Sequence, residues 1–339
     1  MSRDSLRIMV DSLLLIFISG LILRLTKPVL FPFFLAIFLY FLFSPLIDLS
    51  TRFRIPRAVA LILSIAMAFA IFYFLGLLIY ASGKALAEKL PGYSHQFNAF
   101  LEWVRTKMAE LGVSYSRITF LESLNFNRLA SFILNSLGTF LSFLTKMLLI
   151  LIFLFFMLAG RGKFKLKITK NLETERALIM AGLIDQIDRE IQKYLLIKTL
   201  VSFFSGSILT LILLLFGVDF ALMFGVLAFL LNYIPSLGSI VAIILPSIYA
   251  ALQFGQLWKA LWILLLLVAT DFVVANILEP KVMGQSLGLS PLAVLFSLFF
   301  WGWLWGIPGM ILAVPILAII KIIADHFPSL RVLGALLGK

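Results

Sequence analysis

The sequence predicts an all-α, polytopic membrane bundle of about eight membrane segments, ending in an inverted repeat of helix plus broken, hairpin-like segment. Three observations carry this reading. The 339 residues are 62% apolar and 13% charged, with mean hydropathy +1.11, whereas soluble domains hold about 45–50% apolar and about 25% charged residues. Several uncharged runs reach the roughly 20 residues that a helix needs to cross about 30 Å of hydrocarbon. Two charge-free runs, 220–258 and 282–320, each of 39 residues, are interrupted near their middle by Pro and Gly.

Residues 8–26 form a modest first span with Asp11 near its start, and 28–47 form a second, rich in Phe and without charge. The turn that follows carries Arg52, Arg54 and Arg57 against Asp48. Basic loops stay on the cytoplasmic side, so this turn and the N-terminus, with Arg3 and Arg7, are read as inside. Residues 58–82 make a third span. From 84 to 128 the character changes: six Lys or Arg, four Glu and apolar positions such as Phe97, Phe100, Leu101 and Val104 read as an extracytoplasmic amphipathic helix. The stretch 133–159 is a fourth span whose sole charge is Lys146, a side chain that either snorkels or finds a partner inside the bundle.

Arg161, Lys163, Lys165, Lys167 and Lys170 place five positive charges in ten residues, the strongest cytoplasmic mark in the chain. Orientation alone accounts for them, although anionic lipid is also a fitting partner. Met180, Leu183, Ile184, Ile187, Ile191, Tyr194 and Leu195 then recur at helical spacing, an amphipathic helix leading into a fifth span at 199–218.

The two interrupted runs resemble each other. The first holds Asn232-Tyr-Ile-Pro235-Ser-Leu-Gly238 and later Pro246; the second holds Gly306-Ile-Pro308-Gly309 and later Pro315. Each follows a helix of about 20 residues, 199–218 and 260–279 respectively, enough for one crossing. Pro removes a backbone donor, and the freed carbonyls and N–H groups cannot be satisfied by lipid, so such a break is buried in protein or lines a cavity. If each run dips in and returns on one side, the two units have opposite orientation, and paired broken helices of that kind point to a transport site near the midplane. Two kinked crossings per run would preserve the same parity. The breaks at Pro235, Gly238, Gly306, Pro308 and Gly309 are the candidate gating positions.

The expected organisation is three N-terminal helices (1–83), an extracytoplasmic segment (84–132), a fourth helix (133–160), a cytoplasmic linker (161–198), a transport core (199–322, with repeats 199–252 and 260–322) and a cytoplasmic tail (323–339). Within the core, the sixth span carries Asp271, Asn276 and Glu279 before Pro280 and Lys281. On a regular α-helix the eight residues from Asp271 to Glu279 bring the two acids within about 80° of each other. A carboxylate within a span costs about 2.5–3.5 kcal/mol on translocon scales unless paired, protonated or hydrated, which makes function the default reading. The bland alternatives are an ion pair of Asp271 with Lys146 or Lys259, an interfacial pairing of Glu279 with Lys281, and support of the broken backbone by Asn232. Asp219 reads as a turn residue.

Other classes are poorly served. There is no Cys, and His95 and His326 have no metal-ligand spacing, so no metal or cofactor is expected. No nucleotide loop or nucleophile constellation suggests an enzyme. The net charge of +12 lies between hydrophobic runs and follows the positive-inside pattern, which argues against nucleic acid. A membrane scaffold or regulator built on the amphipathic segments is the reading from another class, and it leaves the paired breaks unused. Self-association is compatible with the Phe-rich apolar surface, as is plain contact with lipid.

GVDFALMFGVLAFLLNYIPSLGS at 217–239 and NILEPKVMGQSLGLSPLAVLFSLFFWGWLWGIPGMILAVP at 276–315 resemble the two signature stretches of the AI-2E (autoinducer-2 exporter) family of bacterial transporters. PFFLAIFLYFLFSPLIDL at 32–49 and the following Arg-Ile-Pro-Arg resemble its N-terminal pattern. Asn232, Pro235 and Gly238 fall on the first signature, and Asn276, Glu279, Pro280, Gly284, Pro291, Gly306 and Gly309 on the second. The resemblance implies a multi-pass protein of the bacterial inner membrane, with both termini cytoplasmic by the parity above. Its implied activity is export of the autoinducer-2 furanone in some members and exchange of Na⁺ or Li⁺ for protons in others. Under a proton-coupled mechanism Asp271 or Glu279 would carry the exchangeable proton.

Overall fold

The computed structural model describes residues 20–110, 126–162, 174–283 and 287–338, with positions 18, 166, 167 and 170 besides. Among these residues the secondary structure is helical throughout, apart from a single antiparallel bridge between Leu289 and Gly338. Most of the first expected span, 8–26, lies outside the described residues; 20–25 are helical. The helices are α1 (Lys27–Arg52), α2 (Arg57–Lys89), α3 (Ser94–Glu110), α4 (Phe126–Ala159), α5 (Thr174–Leu215), α6 (Ala221–Leu231), α7 (Leu237–Phe254), α8 (Leu257–Val273), α9 (Glu279–Met283), α10 (Pro291–Trp305), α11 (Ile307–His326) and α12 (Arg331–Leu337). Six described helices are long and apolar enough to cross a membrane, and four shorter apolar ones accompany them. The chain is therefore a multi-pass membrane protein.

Several boundaries differ from those expected. The helix that holds the expected third span continues beyond it: α2 runs to Lys89, and a 3-10 turn at Leu90–Tyr93 leads into α3. From Thr174 onward the linker and the fifth span are one helix, α5, whose 42 residues extend about 63 Å at 1.5 Å per residue. Apolar face and apolar run share one helical phase there, so nothing interrupts the backbone. The tail after 323 is also ordered, because α11 continues to His326 and α12 folds back, where Ser290 N–H donates to the Leu337 carbonyl at 2.8 Å.

The chain divides into two compact units, 1–68 with 146–196 and 285–339, and 69–145 with 197–284. In the first, Trp305 is 2% exposed and its ring meets Phe31, Phe34 and Trp301 at centroid distances of 6.4, 5.2 and 4.7 Å. Arg161, just past the end of α4, gathers the end of α1 and the start of α2. Its guanidinium donates to the Ser44 carbonyl and to Asp48, both at 2.7 Å, while its own carbonyl accepts from Arg57 at 2.8 Å.

The second interrupted run belongs to this unit as an antiparallel hairpin of α10 and α11. Gly306 turns the chain at φ 78°, Ser297 donates to the Ala313 carbonyl across the pair at 2.9 Å, and Gly309 lies against the Trp301 carbonyl so closely that a Cβ would overlap it. The arm α10, with 15 residues, is about 22 Å long, short of the roughly 30 Å core.

In the second unit, α6 and α7 form the first hairpin. At 11 residues, α6 spans only about 16 Å. Phe220 and Phe224 at its start pack on Tyr249 near the end of α7, at 5.7 and 5.6 Å between ring centroids. The base of this hairpin is tied by Lys89 to Asp219 at 2.8 Å, by Gln253, whose amide bridges Gly217 and Asp219, and by a Tyr93–Tyr249 hydroxyl contact at 3.1 Å. Asp219 thus sits in the turn assigned to it. Gly206 of α5 and Gly225 of α6 let two backbones touch: a Cβ on Gly225 would overlap Thr210 Oγ1 and come within 2.7 Å of the Gly206 carbonyl.

Candidate functional site

The site is built along one face of α5. Lys198, Ser202, Ser205 and Leu209 recur at steps of four, three and four residues, the spacing that aligns side chains on one helical face. The opposing groups come from the break of the first hairpin and from α8 with its C-terminal continuation.

At the break, Ser236 adopts φ 62°, ψ −55° and Leu237 N–H donates to the Pro235 carbonyl at 2.7 Å. This is a γ-turn with positive φ at a residue that carries a Cβ, a conformation that stores on the order of 1–3 kcal/mol. Gly238 follows because a Cβ there would overlap the Leu231 carbonyl. The strained turn reverses the chain within a few residues and brings Asn232 and Ser239 to the same side. Asn232, 9% exposed, donates from Nδ2 to Ser202 Oγ at 3.1 Å, and Tyr233 shares a 2.7 Å hydroxyl contact with Thr199. Asn232 therefore bonds a neighbouring helix instead of the freed backbone of its own turn.

Asp271 is brought to this break. Together with Ser205, Asn232, Ser239 and Thr270 it lines a cleft floored by Leu209, Ala228, Ala242, Ile243 and Leu267. The cavity volume is about 20 Å³, above the roughly 10–15 Å³ that one water requires and far below that of an organic solute. No hydrogen bond or ion pair joins the half-buried Asp271 carboxylate to any described residue. Lys259, one of its expected partners, instead places its ammonium 3.5 Å from the centre of the Phe254 ring. An unpaired carboxylate in a cleft of hydroxyls and an amide can take up a proton, a cation or a hydrogen-bonding solute.

Glu279 is placed differently. Its Oε1 lies 2.6 Å from Lys198 Nζ, with the two side chains 21% and 5% exposed. Lys198, and not Lys281, is its partner. Sequence reasoning missed Lys198 because it stands where the amphipathic helix becomes apolar, a position that reads as interfacial. Its signal was the α5 face it shares with Ser202 and Ser205.

Between the two acids the helix widens. Residues Val274–Leu278 form a π-turn in which Glu279 N–H bonds to the Val274 carbonyl. A π-turn admits one extra residue, so eight steps rotate as about seven, about 700°, which is about 20° short of two full turns. Asp271 and Glu279 thus share a face more closely than on a regular helix, both toward α5. Asn276 does not join them; it is exposed and donates to the Phe272 carbonyl of its own helix at 3.0 Å. Pro235 and Gly238 lie at this site, whereas Gly306, Pro308 and Gly309 shape the turn of the other hairpin.

The sequence pattern of the AI-2E family transporters matches residues 12–329. The AI-2 transport protein TqsA of Escherichia coli K12 is 33% identical over 333 residues, covering 96% of this chain and 93% of its own. A candidate transport protein of Borreliella burgdorferi is 32% identical over 328 residues, 96% of this chain and 88% of that one. Another, YueF of Bacillus subtilis, is 29% identical over 339 residues, with 91% and 89% covered.

Proposed function

Because this chain belongs to the AI-2E transporter family, we propose that it is a secondary transporter of the bacterial inner membrane that exports a small polar molecule such as the autoinducer-2 furanone, with proton movement coupled through Asp271. The observation that carries the coupling is the unpaired Asp271 carboxylate beside the strained break at Pro235–Gly238. A relative named for AI-2 transport, similar over almost the whole chain, supports the cargo.

In this reading the described conformation is a closed state. The cleft holds water-sized contents, and the hairpin break opens it to admit solute, whose hydroxyls meet Ser205, Asn232, Ser239 and Thr270. Taking up a proton on Asp271 removes a half-buried negative charge, which lowers the cost of moving the loaded site through a low-dielectric interior. Substrate binding and protonation then favour the same rearrangement, which is the basis of coupling. Both termini are cytoplasmic, by the basic turns after α1 and α4.

One observation favours a second reading, exchange of Na⁺ or Li⁺ for protons. The cleft is small and lined by oxygen-bearing groups around one carboxylate, and oxygen ligands suit hard cations. Flux in proteoliposomes under an imposed pH gradient separates the two. The proposal expects autoinducer-2 to move and to dissipate the gradient; collapse of the gradient by Na⁺ or Li⁺ without furanone movement replaces it with the antiporter.

A further inference from the structure

We infer that Lys198 divides the work of the two membrane carboxylates: it occupies Glu279 permanently and leaves Asp271 as the single exchangeable charge of the transport stripe. The inference deepens the transport reading above and rests on it for its consequence, a coupling of one positive charge per cycle.

The charges along one face of α5 set the count. Lys198 and Glu279 are 2.6 Å apart and largely buried, so their charges compensate each other at the end of the stripe. About two helical turns away, Asp271 faces Ser205, Asn232, Ser239 and Thr270, none of them charged. The other groups near the pair do not alter the count. Lys281 is exposed on the same helix as Glu279, and Tyr233 holds its hydroxyl against Thr199, beside Lys198. With every acid ionised, the stripe carries one uncompensated negative charge, and it lies at Asp271. One proton or one monovalent cation neutralises it.

The ordering of the stripe makes Lys198 a positioning residue. Breaking a buried pair by removing one partner leaves an uncompensated charge, which is strongly unfavourable. Without Lys198 the stripe would hold two free carboxylates, and Glu279 would compete with Asp271 for protons. The π-turn puts both acids toward α5, so separation by charge pairing, and not by direction, keeps their roles distinct.

Carboxyl labelling tests this without a transport assay. The full-length protein in liposomes is treated with dicyclohexylcarbodiimide, an apolar reagent that modifies protonated membrane carboxyls, and the modified residues are located by peptide mass spectrometry. The wild type is expected to be modified at Asp271 and to stay at background at Glu279. Lys198→Gln should raise Glu279 modification to the level of Asp271, Lys198→Arg should retain the wild-type pattern, and the double variant Lys198→Gln, Glu279→Gln should again label Asp271 alone. Equal labelling of both acids in the wild type overturns the inference even if no variant folds. Absence of Glu279 labelling in a folded Lys198→Gln protein does so as well. If the labelling follows expectation while no solute or cation moves in proteoliposomes, the transport reading fails and the division of the acids stands.

Discussion

Gly309→Ala should weaken the second hairpin, and the size of the effect can be worked from its turn. In an exposed helix, alanine in place of glycine gains up to about 1 kcal/mol from reduced backbone entropy. At 309 the added Cβ overlaps the Trp301 carbonyl and comes to 2.8 and 3.0 Å from Trp301 C and Trp305 Cβ. The obstruction is mainly backbone, and Trp305 is fixed among three aromatic rings, so relief requires the arms to part. Overpacking of this kind costs about 1–3 kcal/mol, and more when backbone must shift. A net loss of about 2 kcal/mol lowers the melting temperature by about 4–8 °C for a unit of 150–250 residues. Gly182→Ala is the control. That position is exposed in α5, and an added methyl meets nothing within 4 Å, so the variant should melt at or slightly above the wild type. Thermal unfolding of the three proteins in one detergent checks the order. A Gly309→Ala protein that melts with or above the wild type would refute the close approach of the two arms.

Two further substitutions probe the cleft and the clasp around Arg161. Ser239→Leu puts a branched apolar side chain into a cavity of about 20 Å³; flux in proteoliposomes should fall to background while the melt shifts by no more than about 1–3 kcal/mol. Arg161→Ala removes two 2.7 Å hydrogen bonds to Asp48 and to the buried Ser44 residue, a loss of about 1.5–3 kcal/mol. Both bonds leave one terminal nitrogen, Nη1; Arg161→Lys, with a compact and strongly hydrated ammonium on a shorter stem, should recover only part of this, and chemical or thermal melts of the pair measure the difference.

Much of the architecture could be read from the chain because a membrane leaves few solutions to an uncharged run. Hydropathy located α1, α2 and α8, and the Pro–Gly interruptions located both breaks. Each is now a hairpin with one arm too short to cross. Other features had no local signal. The union of 174–215 into one helix depends on the phase match between an amphipathic face and an apolar run. The π-turn at 274–278 has no sequence signature, and by adding one residue it turned Asn276 out while keeping Glu279 in. Lys198 looked interfacial because its partner lies 81 positions away. Gly206 and Gly225 carry no mark until two helices cross at them. Asp271 was legible for the opposite reason: a lone carboxylate inside an apolar run is costly wherever it points.

Solute flux by an Asp271→Asn variant, with and without an imposed pH gradient, measures whether protons couple to transport through this carboxylate. Asparagine keeps the shape and a hydrogen-bonding head group but cannot take up a proton. Wild-type flux should rise with the gradient, and the variant should show exchange that does not respond to it. Gradient-driven flux that persists in Asp271→Asn would contradict coupling through this residue.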